Sequence, residues 1–599
     1  MPEDSSRMER QRAGELPPLT ERPANPQAAR LEVVGHVLEP EQWQPTPERL
    51  ARLRVPDGFE VTVFARDLVN PRMLAVADDG TVYVTRRSVG DVLMLRDTDG
   101  DGVSDTQRVV ASRPNMHGIA LDGDTVYLTT IKEIYRTTRN ADGTFGEIER
   151  IVDDLPDAGQ HPNRMVVVGP DGWLYVTAGS TCNACDEGNP ENATMLRIAP
   201  DGSSRSIWAS GLRNTIGYGF VPGTSDVVGL DHGIDWLGDN EQPEEVNRIV
   251  EGTAYGWPYI YADGGINPQD DPPNGITHEQ WDAFAARPVA LYTPHAAPMQ
   301  LAFDGGGQFP SEYTGDAFVA MRGSWNRLPP SGYEVVRVRL EGSEVVGVEP
   351  FVTGFLQQDG ETWGHIGRLC GLAQAADGSM LLTDDTNGVI YRIAYTGDGS
   401  GRAPQRPTNV DGAEVGLTGQ AAPTPPMPSP ERLAMEIVGV EGRLTVTSPA
   451  FGDGERIPED HAAEGDNASP ALRWTAGPAG TRSYAVLVED MDADVERLPA
   501  VHWILYNVPA DVTMLEEGVP GSPRLAVPMG ALQGPNVHGS LGYFGPRPPV
   551  GEPAHAYHVQ VFALDAMLPL RFGASRAEIL DAMDGHVLAS GEVVGTYSR

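Results

Sequence analysis

A chain of 599 residues exceeds what one hydrophobic core usually organises, which favours at least two domains. Its 84 Asp+Glu against 44 Lys+Arg leave a net charge of −40, and such a field repels nucleic acid and anionic membrane surfaces. The 40% hydrophobic content is that of a globular protein, while 69 Gly and 51 Pro punctuate the chain too densely for a helix-rich fold and indicate an all-β one.

Residues 1–50 are polar and proline-rich without an apolar stretch, so they read as an extended N-terminal segment with no signal peptide visible. No run approaches the roughly 18 consecutive apolar residues of a membrane span. A repeat follows, in which a tight turn precedes a short apolar strand. Its units are DDGTVYVT at 78–85, GDTVYLTT at 123–130, PDGWLYVTAG at 170–179, GTSDVVGLDHG at 223–233, TGDAFVAMRG at 314–323 and ADGSMLLTDD at 376–385. A second strand begins near 91, 133, 194, 245, 334 and 389. The Asp-Gly and Gly-Asp pairs supply the positive φ that a tight hairpin needs. Six turn-strand-turn-strand units of irregular spacing predict a six-bladed β-propeller over residues 51–396, with a β-sandwich as the alternative that periodicity leaves open. The wider spacing at 234–313 predicts an insertion above one face.

Within the first unit, Asp97, Asp99, Asp101 and Asp105 have the D-x-D-x-D-G-x-x-D spacing of a calcium loop. Position twelve is Arg108 rather than Glu, so the loop is no complete EF-hand; it reads as a structural calcium site, against a solvated acidic turn. Cys182 and Cys185 form a C-x-x-C followed by Asp186, which excludes covalent haem attachment and favours a local disulfide, leaving Cys370 buried and inert. Residues 397–430 carry much Pro and Gly without periodicity and read as a linker. Strands resume in a second β-rich domain at 431–599.

The segments GQHPNRMVVVGPDGWLYVTAGSTCNAC (159–185), ASGLRNTIGYGF (209–220), LDHGIDWLGDNEQPEEVNRI (230–249), YGWPYIY (255–261), AMRGSWNR (320–327) and GRLCGLAQAADGSMLLTDD (367–385) resemble the glucose/sorbosone dehydrogenase family. The resemblance implies oxidation of an aldose or sorbosone-like sugar by pyrroloquinoline quinone (PQQ) with calcium, electrons passing to an external acceptor, and a periplasmic or extracellular address. It places His161 as general base, which suits a neutral imidazole. It places Arg213 and Asn214 beside cofactor and substrate, with Arg322, Arg327 and Arg368 as further cofactor ligands, because a tricarboxylate calls for bidentate guanidinium donors. Calcium is implied at Gly233 and Ile234 through backbone carbonyls. Relatives place a lysine on the quinone, whereas the single lysine here, Lys132, lies outside every matching segment. A non-catalytic, carbohydrate-binding calcium propeller is the alternative, and a lactone hydrolase a third.

In the second domain SPAF (448–451), SPALRW (469–474), EDMDAD (489–494), HWILYNVP (502–509) and GSLGYFGPRPPVGEPAHAYHVQVFALD (539–565) resemble bacterial phosphatidylethanolamine-binding proteins. The resemblance implies a pocket for a small anion, bordered by Asp490, Asp492, His502 and Tyr543, in a binding or protein-interaction module. Both prolines of the usual D-P-D-A-P are lost in Asp490-Met-Asp492-Ala-Asp494. His555 and Tyr557 read as strand residues.

Overall fold

The structure, a computed structural model, describes residues 33–599 apart from 157–158, 273–276, 284, 398–403, 405–415, 424–431, 441, 494–498, 523, 526, 538–540 and 571–572. Among the described residues between 59 and 395 lie six sheets, each with four strands paired antiparallel. The first contains Leu74–Val76, Val82–Arg86, Asp91–Arg96 and Thr106–Ser112, and the second Ile119–Asp122, Thr125–Thr129, Ile134–Thr138 and Glu149–Val152. The third contains Val166–Val168, Leu174–Ala178, Thr194–Ile198 and Arg205–Ser210; the fourth, Gly217–Phe220, Val227–Asp231, Glu244–Ile249 and Ala290–Tyr292. Pro298–Phe303, Ala317–Met321, Glu334–Glu341 and Glu344–Val352 form the fifth. In the sixth, Leu369–Gln374, Met380–Asp384 and Val389–Tyr395 are joined by Phe59–Ala65 from the start of the chain.

The predicted turn-flanked strands are the second and third strands of these sheets. They are buried on both faces, as in Val82–Arg86 and Leu174–Ala178, because each sheet is covered by its neighbours. The first strands of sheets one to three touch in order, as do those of four to six, and the sixth touches the first. The approach is close enough to demand glycine: a Cβ on Gly217 would sit 2.0 Å from the Met299 carbonyl, and one on Gly371 equally close to that of Arg72.

Three expectations are corrected. The 234–313 stretch is no single insertion, because Glu244–Ile249 and Ala290–Tyr292 are strands of the fourth sheet and Pro298–Phe303 opens the fifth; the excursion proper is 250–289. Of the N-terminal segment, 1–32 lies outside the described residues, while Glu41–Gln42 pairs with Gly364–His365 and Pro47–Leu50 is a short helix, so the segment is docked. Within the linker, Gly416–Leu417 pairs with Ala290–Leu291.

C-terminal to these sheets, Ser483–Asp490 is the central strand of a five-stranded antiparallel sheet. Ala500–Pro509 and His555–Leu564 flank it, with Leu532–Gly534 and Val587–Tyr597 outermost. Val446–Thr447, Leu472–Trp474 and Met514–Leu515 form a second, three-stranded sheet. Helix Arg576–Met583 has a Ser575/Glu578 capping box and packs its Ile579 and Met583 into one core of this part.

Phe59 closes the sixth sheet: its ring meets Phe309, Phe351 and Tyr395 edge-on at 4.8, 5.1 and 5.1 Å. Phe59→Ala is expected to lower stability by about 3–5 kcal/mol, read as an earlier denaturant midpoint for the larger unit with the C-terminal sheet's transition unmoved.

Candidate functional site

In an antiparallel sheet the start of the first strand and the end of the second share one edge. At the starts stand Arg72, His117, His161 with Arg164, Arg213 with Asn214, His295 and Arg368; at the ends stand Arg87, Ser180, His232, Arg322 and Asp385. The fold thus collects polar residues from all six sheets at the same edge.

His161 directs Nδ1 to the Ser180 carbonyl and hydroxyl, at 3.0 and 2.8 Å. Burial, then the positive fields of Arg213 and His232, push its pKa down to about 2. The ring is therefore neutral. Asn214 stands beside it, since a Cβ on Gly179 would lie 2.7 Å from the His161 Cβ and 3.1 Å from the Asn214 Oδ1. Arg213 is clamped from below: its backbone and that of Asn214 donate to Asp231, each at 2.8 Å. Its guanidinium donates to the Asn183 carbonyl (3.0 Å) and Oδ1 (2.7 Å) and to Asp235 (3.2 Å). Asn183 lies between Cys182 and Cys185, which form a disulfide; Cys370 is a buried thiol.

On the far side of His232, Arg322 and Arg72 share one oxygen of Asp385, at 2.6 and 2.5 Å. Burial opposes ionisation of Asp385, but these two arginines outweigh it and hold the carboxyl at about 2. Arg72 also reaches His117 Nε2 at 3.2 Å. Arg72, Arg87, Arg322 and Asp385 line a cavity of about 540 Å³. The Nε atoms of Arg72, Arg87 and Arg368 and the Nδ1 of His365 are buried with no hydrogen-bond partner among the described residues. Burial, then Arg368 and Arg322, lowers the His365 pKa to about 4. Unmatched buried donors are costly, and these fit a ligand carrying several carboxylates.

The structure brings His161, Arg213, Asn214, Arg322 and Arg368 to this edge. Arg327 turns away: it is wholly buried and donates to the Asp239 and Pro329 carbonyls and to Asn240. The amides of Gly233 and Ile234 donate to Glu244 and Gln242. Burial raises Glu244 to about 8; a carboxyl kept protonated in an oxygen-rich turn is one that a divalent cation would ionise. Carboxylates of Asp97, Asp99 and Asp105 lie within 4.8 Å of one another, whereas Asp101 falls outside that group and accepts from the Val103 amide. Arg72, Arg87, His365 and Asp385 escaped the sequence reading. Their signal was position, because each borders the first or second strand of its unit as Arg213 and Arg322 do.

In the C-terminal part Asp490 accepts from His555 Nδ1 at 2.9 Å and from the Asp492 amide at 2.7 Å. His502 Nδ1 bonds the Phe544 carbonyl at 2.8 Å, and its ring meets Tyr557 edge-on at 5.0 Å. Burial lowers the His502 pKa, against Asp490. For His555 burial also opposes protonation, but Asp490 and Glu552 prevail and the pKa is raised. His555 is therefore a partner of the acidic pair rather than a plain strand residue. Tyr543 is spoken for: its hydroxyl donates to the His461 carbonyl at 3.0 Å. Asp494 lies outside the described residues.

Residues 68–392 match the family described as glucose/sorbosone dehydrogenase. The chain belongs to that family. Residues 447–598 match the phosphatidylethanolamine-binding proteins, so the two are fused in one polypeptide. An uncharacterised protein of Borreliella burgdorferi is 27% identical over 367 residues, which are 58% of this chain and 92% of that protein. A UPF0098 protein of Methanothermobacter thermautotrophicus is 42% identical over 156 residues, 26% of this chain and 99% of that protein. Among solved structures, one described as the calcium structure of a Trichoderma reesei carbohydrate-active enzyme of family AA12 aligns with a TM-score of 0.50 at 18% identity, covering 59% of this chain and 99% of that one. It shares the fold. No helix among the described residues is long and apolar enough to cross a membrane.

Two titrations check the electrostatics. The His161 ring signals are expected to stay those of neutral imidazole from about pH 8 down to pH 5 in ligand-free protein, and Arg213→Gln to move its protonation upward. In the second domain Asp490→Asn is expected to lower the His555 pKa, followed by the same NMR experiment. The Asp490–His555 contact thus stabilises the fold while the ring is protonated, and that contribution is lost as pH rises through the raised value.

Proposed function

We propose that the chain is a quinoprotein dehydrogenase in which the six sheets act as the blades of one propeller, residues 51–396. It would oxidise an aldose or sorbosone-like sugar with PQQ and calcium and pass the electrons to an external acceptor. The observation that carries this reading is the set of buried guanidinium donors around the Arg72–Arg322–Asp385 cavity, on the same sheet edge as the neutral His161. In a chain of net charge −40 carboxylates are plentiful, yet Arg72 and Arg322 share a single one.

Arg72, Arg87, Arg322 and Arg368 would hold the carboxylates of the quinone, Arg322 and Arg368 serving where relatives use lysine. Asn214 would orient the sugar next to His161. Ser180, as partner of Nδ1, leaves Nε2 of that ring to take the proton of the sugar hydroxyl. A base held at about 2 is too weak for this near neutrality. A trianion nearby would offset the positive field that Arg213 adds to burial, so part of the base strength would arrive with the cofactor. Once held there, the quinone would supply a hydride acceptor and calcium a Lewis acid. Gly233, Ile234 and Glu244 are the oxygen-rich candidates for that ion, and Asp97, Asp99 and Asp105 a separate structural one.

The 431–599 domain reads as an anion- or partner-binding accessory built on Asp490, His502 and His555. A disulfide beside the site suits an oxidising compartment, the periplasm or the cell exterior.

The test is to titrate the full chain with PQQ and calcium and follow dye reduction with a panel of aldoses. Saturable uptake and turnover are expected. His161→Gln should lose about 10²- to 10⁴-fold in kcat while still taking up PQQ. Absence of uptake would overturn the reading.

A further inference from the structure

Two tryptophans stand in water at the rim of this site. Trp236 follows the second strand of the fourth sheet and Trp325 the second strand of the fifth, and they remain 51% and 37% exposed. Their rings meet edge-to-face, with centroids 5.1 Å apart at 77°. Trp236 has φ 76, a left-handed conformation that is costly for a bulky residue. The neighbouring amides fix it there: Ile234 donates to Gln242 and Asp235 to Asn183. The chain thus spends backbone strain and water-exposed apolar surface to hold one indole against another.

The ground below the rings is polar. Asp235 bonds the Arg213 guanidinium at 3.2 Å and accepts from Asn326 Nδ2 at 3.0 Å. Asn326 is itself 5% exposed, and its Oδ1 is buried with no partner among the described residues. Arg213 in turn acts on His161. Asn214, next in the chain to Arg213, stands beside His161, so the loop that carries Trp236 is linked to the general base through Asp235 and the Arg213–Asn214 pair.

We propose that Trp236 and Trp325 form a stacking platform for a second sugar ring, so that the site takes an oligosaccharide whose terminal residue lies at His161. A pyranose presents a face of C–H bonds, which packs on the electron-rich face of an indole, and a rim of hydroxyls. An apolar ring pair beside an unmatched amide oxygen has the same division. A protein partner would ask for a wider apolar patch, and a neutral glycan meets no repulsion from a chain of −40. The inference rests on the dehydrogenase reading only for which end of the glycan is oxidised.

Binding is measured first by calorimetry, on the full chain without cofactor, with glucose, maltopentaose and cellopentaose. At least one pentaose is expected to bind about tenfold or more tighter than glucose, about 1.4 kcal/mol. Trp236→Ala and Trp325→Ala should erase that advantage, and Trp325→Phe should keep part of it. Circular dichroism and the unfolding midpoint of each variant establish that it is folded. Equal affinity for glucose and both pentaoses in the wild type, or an advantage that survives both alanine variants, would sink the platform. Steady-state kinetics of the PQQ- and calcium-loaded protein then separate the two proposals. A pentaose-to-glucose KM ratio that rises in the alanine variants supports both. Pentaose binding without oxidation of any sugar removes the dehydrogenase and leaves the platform; oxidation with a KM ratio unmoved by the variants removes the platform alone.

Discussion

Asp385 is the carboxylate on which the centre of the larger unit depends. It stands in the sixth sheet and accepts from Arg72 of the first and Arg322 of the fifth, so one buried anion ties three sheets together. Two guanidinium groups on one carboxylate leave a net positive charge where water is scarce, and buried charge is tolerated only when paired or fully hydrogen-bonded. The neighbouring Nε atoms of Arg72, Arg87 and Arg368 go unmatched. Unmatched buried donors of this kind, gathered around one carboxylate, are a departure from full internal pairing of the sort found where a protein acts. The depressed pKa values of His161, His232 and His365 have the same origin, since burial and the arginine field disfavour a further proton.

The sequence disclosed the sheets unevenly. Second and third strands announce themselves because they are covered on both faces and run apolar, the second directly after an Asp-Gly-type turn. Fourth strands such as Thr106–Ser112 are largely exposed and carry polar residues, so no apolar pattern marks them. First strands such as Val166–Val168 are too short to show a period. The stretch between the fourth and fifth units looked like one insertion for the same reason: its outer strand, Ala290–Tyr292, has three residues. At the site, His161, Arg213 and Asn214 were legible from family motifs. Arg72 and Arg87 were not, because they join Asp385 and Arg322 only around a cavity assembled across the sheets, a proximity no local spacing encodes.

The C-terminal part shows the opposite failing. Motif resemblance pointed to Tyr543 and left His555 as a strand residue. Pairing of Ser483–Asp490 with His555–Leu564 sets Asp490 opposite Tyr557, which brings the His555 ring onto the carboxylate. Tyr543 is drawn instead to the His461 carbonyl. Sheet register placed His555, and register is a tertiary property; Tyr543 lies outside the described strands and is held by a contact far along the chain.

The pairing of Phe59–Ala65 with Val389–Tyr395 has a consequence for biogenesis. A polypeptide leaves the ribosome from its N-terminus, so the strand made first in this unit must wait for the one made last. Until residue 395 emerges, Phe59 lacks Tyr395 and the strand Phe59–Ala65 has no partner, a state prone to mispairing with other nascent chains. The Pro- and Gly-rich stretch from 397 to 430 is then synthesised while that gap is being sealed, before the strands of the C-terminal sheet appear to compete for it.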